Sequence, residues 1–343
     1  MPTDQPGAAD RVRWEVPLAL LAAVVTGACL ALQSRMNGVF SGHTGPWLPA
    51  WVSFGSGWLI LTACWAVPGY RHRVRRVRTA LRQGRLAWWQ LLGGINGALF
   101  VTVQAWSVPV VGVATFLLVA VAGQTASALL VDRIGIGSAP RMAVTGSRIA
   151  AAALAVAGVS LMVWPGADGD LLAGGTVLLP ALAALAVGMG LAFQQALNGR
   201  LTTITRDGLA TAWVNFTVGL AMVLLVATPP LLVAGVPSVG TVAEVPVWAW
   251  WGGALGVVVI GLSAWAVQHS GVLAFGLVSI TTQLGGGLLL DLLTPTADRE
   301  ITLTVLAGAA VTVVAACWAG VAAQRARRRR LAATRRADGA LVD

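Results

Sequence analysis

Two long stretches of this chain repeat each other, and the repeated unit holds an odd number of apolar runs. Gly94 to Asp132 aligns on Gly253 to Asp291 at a constant offset of 159 without a gap. The alignment pairs Gly97 with Gly256, Trp106 with Trp265, Gly112 with Gly271, Gln124 with Gln283 and Asp132 with Asp291. Upstream, Leu32-Gln33-Ser34-Arg35-Met36-Asn37-Gly38 matches Phe193-Gln194-Gln195-Ala196-Leu197-Asn198-Gly199. One inserted residue later, Trp51-Val52-Ser53-Phe54 matches Trp213-Val214-Asn215-Phe216. With about five spans in each copy, the second copy must enter a bilayer upside down relative to the first.

A bilayer is where the composition puts it. Hydrophobic residues make up 57% of the 343 and charged ones 10%, too little polar surface to clothe a soluble globule. A span needs roughly 20 apolar residues to cross about 30 Å of hydrocarbon. Ten such runs are expected, near 16–36, 47–67, 88–107, 111–131, 147–164, 171–195, 212–233, 248–267, 272–292 and 301–321. The expected fold class is therefore an all-α integral membrane protein of ten transmembrane helices, arranged as two five-helix repeats of inverted topology.

Arginine sets the orientation, because all 23 Lys and Arg residues are Arg. With the termini and the even-numbered loops on one side, that side collects 21 of them and the other keeps Arg35 and Arg299. By the positive-inside rule both termini face the cytoplasm of a bacterial plasma membrane. The net charge of +10 is thus a topology signal. A nucleic-acid partner is not expected, since no stacking aromatics interleave with the arginines. Cys29, Cys64 and Cys317 stand singly within spans, without metal or redox spacing.

The expected organisation is a disordered cytoplasmic lead over 1–13, a first five-helix repeat over 14–164, an external linker over 165–170, a second five-helix repeat over 171–321 and a basic cytoplasmic tail over 322–343. So short a linker makes the two repeats one compact unit. Fusion of both repeats makes a single chain the expected functional unit. Between Arg71 and Arg85, Val74, Val77 and Leu81 recur at helical spacing among arginines. That loop reads either as a solvated topology signal or as a short amphipathic helix on the membrane surface.

Polar side chains inside spans are the candidate site, because the bilayer penalises each of them unless it finds an internal partner. Gln33 and Asn37 share a helix face near the outer end of the first span, and Gln194 and Asn198 repeat that face near the inner end of the sixth. Gln124 and Gln283 stand near mid-span, where transporter sites usually lie. Gln104, Asn215 and Gln268 carry less weight, because their partner positions Ser263, Ser53 and Pro109 are not amides. Asp132 and Asp291 close their spans at opposite faces, as rim ion pairs or as gating and coupling groups. The stripe Gly93-x-x-x-Gly97 recurs as Gly252-x-x-x-Gly256 and predicts close helix packing, while Gly285-Gly286-Gly287 predicts a loosened helix. No metal, cofactor or catalytic cluster is predicted, and no Walker A pattern is present.

The runs LQSRMNGVF…WVSFGSG, GGINGALFVTVQAWSVPVVGVATF and VAGQTASALLVDRIGIG resemble the successive signatures of the YdcZ family within the drug/metabolite transporter superfamily. The chain is similar to a fused, two-unit form of that family. In the second copy Asp291 is followed by Leu292-Leu293-Thr294 where the first has Arg133-Ile134-Gly135, so that signature is degraded there. The resemblance implies a non-enzymatic exporter or permease of a small metabolite or drug-like solute. The inverted repeat fits a secondary transporter working by alternating access, with a cavity lined by Gln33, Asn37, Gln124, Gln194, Asn198 and Gln283. The alternatives are a lipid-carrier flippase of the same superfamily and a membrane-embedded transferase, for which acidic metal-binding clusters are missing.

Overall fold

A computed structural model of the chain describes residues 8–136, 145–163, 177–294, 303, 306–318, 321–322 and 325. The expected linker 165–170 lies outside them. All regular structure among these residues is helical. The first repeat comprises α1 (Ala8–Thr44), α2 (Leu48–Ala63), α3 (Pro68–Arg82), α4 (Gly93–Val111), α5 (Val113–Ile134) and α6 (Gly146–Val163). In the second are α7 (Leu178–Thr205), α8 (Gly208–Val226), α9 (Thr228–Ala234), α10 (Val239–Ala243), α11 (Gly252–Leu293) and α12 (Leu306–Trp318). Seven helical stretches are long and apolar enough to cross a membrane, and three shorter apolar ones, Ile149–Gly158, Val247–Ser263 and Leu306–Trp318, fall where the fifth, eighth and tenth spans are expected.

Local sequence explains where several helices break. Gly112 takes φ +83° between α4 and α5, a conformation that costs a residue with a Cβ, and the chain reverses there with no further loop. Asp207 caps α8, its carboxylate accepting from the Ala210 N–H at 2.8 Å.

Helix α11 is assigned continuously over 42 residues, yet it cannot be straight. The Gln33 amide reaches the Gly252 carbonyl at 2.7 Å. A Cβ at Gly286 would stand 3.1 Å from that of Ala31, only two residues away on α1. In a straight helix Gly252 and Gly286 would be roughly 50 Å apart at 1.5 Å per residue. Ala266 and Phe275 both pack with Ala19 and Ala22 at the far end of α1, so the reversal falls between them. That interval contains Gly271, the counterpart of Gly112. Thus α11 is a hairpin of two arms matching α4 and α5.

The inversion of the repeats is visible where equivalent helices meet. Trp213 donates to Thr62 Oγ1 at 3.1 Å, Trp58 donates to Thr217 Oγ1 at 3.2 Å, and the rings of Phe54 and Phe216 lie 5.2 Å apart. From Trp58–Thr217 to Thr62–Trp213, and from Phe54 against Gly219 to Gly57 against Phe216, the residue number rises along α2 as it falls along α8, so these counterparts run antiparallel. Around them pack Ala50, Leu61, Ala98, Val101, Ala212 and Val223, the apolar seam between the repeats. A second core gathers Phe100, Val108, Phe116, Leu117, Val187 and Leu284 from both copies.

Four expectations change. The first and sixth spans were expected to end at residues 36 and 195, but α1 runs to Thr44 and α7 to Thr205. Helix α1 also begins at Ala8, inside the expected 1–13 lead. Of the two readings of the segment 71–85, the solvated loop gives way to a short amphipathic helix whose apolar face is taken up by protein. Most of it belongs to α3, whose Tyr70, Val74, Val77 and Ala80 are buried against α7 and α8 beside Leu201, Ala210 and Val214. The helix is unbroken through Gly285-Gly286-Gly287, and Gly286 and Gly287 serve close approach to Ala31 and to Leu117 with Ala114.

Candidate functional site

Two polar clusters occupy equivalent places in the repeats. In the first, Ser53 donates to Asn37 Oδ1 at 2.8 Å, Asn37 Nδ2 donates to Gln104 Oε1 at 2.6 Å, and Gln104 Nε2 donates to Ser34 Oγ at 2.6 Å. Ser34 closes the chain on the Leu30 carbonyl at 2.9 Å. Gln104 is 1% and Asn37 2% exposed. Every member has a partner, as burial in a low-dielectric interior demands.

The second cluster holds Asn198 and Asn215, the counterparts of Asn37 and Ser53, adds Gln194 and Asn96, and is looser. Asn215 Nδ2 donates to Asn198 Oδ1 at 2.8 Å and to the Thr211 carbonyl at 3.0 Å. Asn96 Nδ2 donates to Gln194 Oε1 and to the Val187 carbonyl, each at 3.3 Å. Gln194 and Asn198 are only partly buried, and the buried Oδ1 of Asn215 has no hydrogen-bond partner. An unpaired buried amide oxygen costs about 1–3 kcal/mol, a cost that an incoming donor would relieve.

The small-residue stripes explain how these clusters assemble. At Gly252 a Cβ would stand 2.9 Å from Ser53 Oγ and 3.1 Å from Asn37 Oδ1; at Gly93 it would stand 3.0 Å from Asn198 Oδ1 and 3.2 Å from Asn215 Oδ1. Gly256 and Gly97 sit in the same way beneath Gln33 and Gln194, each 3.1 Å from Nε2. Each stripe thus receives the amide face of the opposite repeat. Along α4, Gly93 faces one cluster and Gln104 belongs to the other, which separates them by about 16 Å of helix. The two clusters therefore lie at different depths in the bundle.

The mid-span glutamines take different surroundings. Gln124 Nε2 donates to the exposed Gln195 on α7 at 3.0 Å. Gln283 is 8% exposed on the arm of α11 against α1, where Gly27 permits close approach to its backbone. Asp291 reaches across the repeat boundary, its carboxylate accepting from the N–H groups of Val113 at 3.0 Å and Ala114 at 2.7 Å. It caps α5, where a carboxylate also complements the helix dipole. Arg35 lies within its electrostatic reach, and Arg35 Nη1 is buried without a hydrogen-bond partner. Asp132, the counterpart, is partly buried at the end of α5. Among the described residues no group of three or more His, Cys, Asp or Glu could hold a metal ion.

Sequence reasoning ranked Gln104 and Asn215 low because their counterparts are serines. Yet Ser53, the counterpart of Asn215, does the same work in the first cluster with a hydroxyl. Asn96 was missed altogether. Its position inside the Gly93-x-x-x-Gly97 stripe was the available signal, since an amide there must face whatever the glycines face.

No curated protein matches the chain in sequence. A protein of solved crystal structure aligns over 90% of this chain and 97% of its own, with a TM-score of 0.51 and 18% identity, a likeness of fold alone. A family model described as "Putative inner membrane exporter, YdcZ" matches twice, at residues 18–161 and 179–318, one match in each repeat. This chain belongs to the YdcZ family of the drug/metabolite transporters, as a fused two-unit member.

Proposed function

We propose that the protein exports a small metabolite or drug-like solute by alternating access, through ten spans with both termini cytoplasmic. The single observation that carries this reading is the unequal state of two equivalent clusters. The one near Asn37 is sealed and fully hydrogen-bonded, while the one near Asn198 is half open and keeps an unpaired acceptor. Inverted repeats that exchange conformations would open the first and seal the second. The arginine distribution puts the open cluster toward the cytoplasm, where an exporter loads.

In this account Gln33, Asn37 and Gln104 on one side, and Gln194, Asn198, Asn215 and Asn96 on the other, offer alternative sets of amide donors and acceptors to one solute. Gln124 and Gln283 line the path between them, and Asp132 and Asp291 act at the rims. Amides do not titrate at physiological pH, so the binding groups favour a neutral or zwitterionic solute. Seals such as the Asp291 cap on α5 must break and re-form in each cycle.

The test is loss of solute from vesicles. Proteoliposomes loaded with a defined metabolite mixture are assayed by mass spectrometry for compounds depleted only when the protein is present. Asn198→Ala and Asn215→Ala are expected to slow the depletion of the same compounds at least about tenfold, the cost of one or two lost hydrogen bonds. Depletion unchanged in both variants would remove the clusters from the site.

A further inference from the structure

One cavity has a lining that shares no residue with either amide cluster. On the arginine-rich face a pocket of about 580 Å³ opens between α3, the turn that follows it and the end of α7, lined by His72, Arg75, Arg76, Arg85, Thr203 and Arg206 among others. The positive-inside rule asks for arginines on this face but is satisfied anywhere along a loop. It does not require four of them to converge from three separate segments on one cavity.

Among the described residues, counter-charge around them is scarce. The lining contains no acidic residue. The carboxylate next to Arg206, Asp207, is already engaged by Arg73 and by the Ala210 N–H. Of the four lining guanidiniums, Arg76 finds only the Thr205 carbonyl, at 3.3 Å. Arg206 also holds a left-handed backbone, φ +56°, at the end of α7 where glycine is the usual residue. A side chain kept there at a cost of roughly 1 kcal/mol or more points to a role for its charge.

Docking of α3 makes the pocket a built feature. Tyr70, Val74, Val77 and Ala80 fix one face of the helix on the protein, so the backbone that carries Arg75, Arg76 and Thr79 is held beside the cavity, with the Arg75 side chain exposed at its mouth and Arg76 partly buried. Planar guanidiniums match the oxygens of a phosphate group, and they are the donors this rim offers, since the hydroxyls of Thr79 and Thr203 already donate to the Arg75 and Arg200 carbonyls.

We propose that this pocket binds a phosphate ester anion, held chiefly by Arg75, Arg76, Arg85 and Arg206. The ester is either the headgroup of an anionic phospholipid in the adjacent leaflet or a soluble phosphate monoester. The pocket is separate from the amide clusters, so its failure would leave the transport reading untouched.

The test uses the purified full chain in phosphatidylcholine nanodiscs. Glycerol phosphate is added in solution in one arm, and phosphatidylglycerol is titrated into the disc in the other. Saturable binding in the lipid arm alone identifies a headgroup site, and saturable binding of glycerol phosphate identifies a soluble ester. Arg75→Gln with Arg85→Gln is expected to weaken the bound probe at least about tenfold. Arg78→Gln with Arg82→Gln, which removes equal charge from α3 outside the pocket, is expected to change it less than about twofold. Equal melting temperatures establish that both pairs fold. Lack of saturation in both arms overturns the proposal, as do equal losses in the two pairs or no loss in either.

Discussion

Asn37 joins three helices through one amide. It accepts from Ser53 on α2 and donates to Gln104 on α4. Gln104→Ala leaves the Asn37 donor and the Ser34 hydroxyl facing a void, so destabilisation by about 1–3 kcal/mol is expected. The measurement is chemical or thermal denaturation in detergent, with Gln104→Glu as a size control. Gln33, Asn37, Gln194 and Asn198 were legible in the sequence because the duplication writes them twice. Gln104 and Asn96 were less so, because their counterparts Ser263 and Leu255 are not amides. Duplication reveals the residues held to symmetry and hides those where the two halves have parted.

Helices in this protein end later than their apolar stretches because hydropathy is not what ends them. In α7 the polar run Gln194 to Thr205 stays helical, its amides turned toward the glycine stripe of the other repeat and Thr205 bonded to the Asp207 backbone. A window of average hydropathy reads that run as a loop. The hairpin in α11 was legible for the converse reason: the repeat aligns Gly271 with Gly112, and the contacts of Gly252 and Gly286 with α1 agree. Spin labels at Trp251 and Leu292, both exposed, should report a distance well under half of the roughly 60 Å of a straight helix. A distance near that value would mean that the eighth and ninth spans are one rod.

Docking of α3 supplies a pH prediction at the same scale. Burial, then Cys64 and Asp207, push the Tyr70 phenol well above its ordinary range, and its O–H donates to the Leu209 carbonyl at 3.1 Å. The folded state favours the protonated phenol. Its contribution is therefore present in full below the ordinary phenol pKa of about 10 and is lost as pH rises through the raised value. Proteolysis between α2 and α4 should accelerate above about pH 10. Tyr70→Phe, which keeps the ring, should flatten that dependence.

The whole molecule is two copies of one unit, inverted and packed so that each lends its amide face to the other's glycine stripe. The antiparallel meeting of α2 with α8 gives the inversion, and the family match to each repeat gives the duplication. The orientation proposed here, with both termini cytoplasmic, rests on charge in the sequence, because arginine is cheap at one face and dear across the membrane. The solute was not legible, because amides offer donors and acceptors to many partners without selecting one.

Alternating access is tested most directly at Ser34 and Gln195, equivalent positions of which the first is fully buried and the second exposed. In a chain with Cys29, Cys64 and Cys317 replaced by alanine, Ser34→Cys and Gln195→Cys are labelled in intact cells and in inverted vesicles with a membrane-impermeant thiol reagent. The account predicts labelling of residue 195 from the cytoplasmic side and slower labelling of residue 34 from the outside only. Blocking residue 195 with a bulky reagent should then suppress the labelling of residue 34 in the double variant. Labelling of both from one side, or labelling of residue 34 indifferent to the block at residue 195, would contradict it.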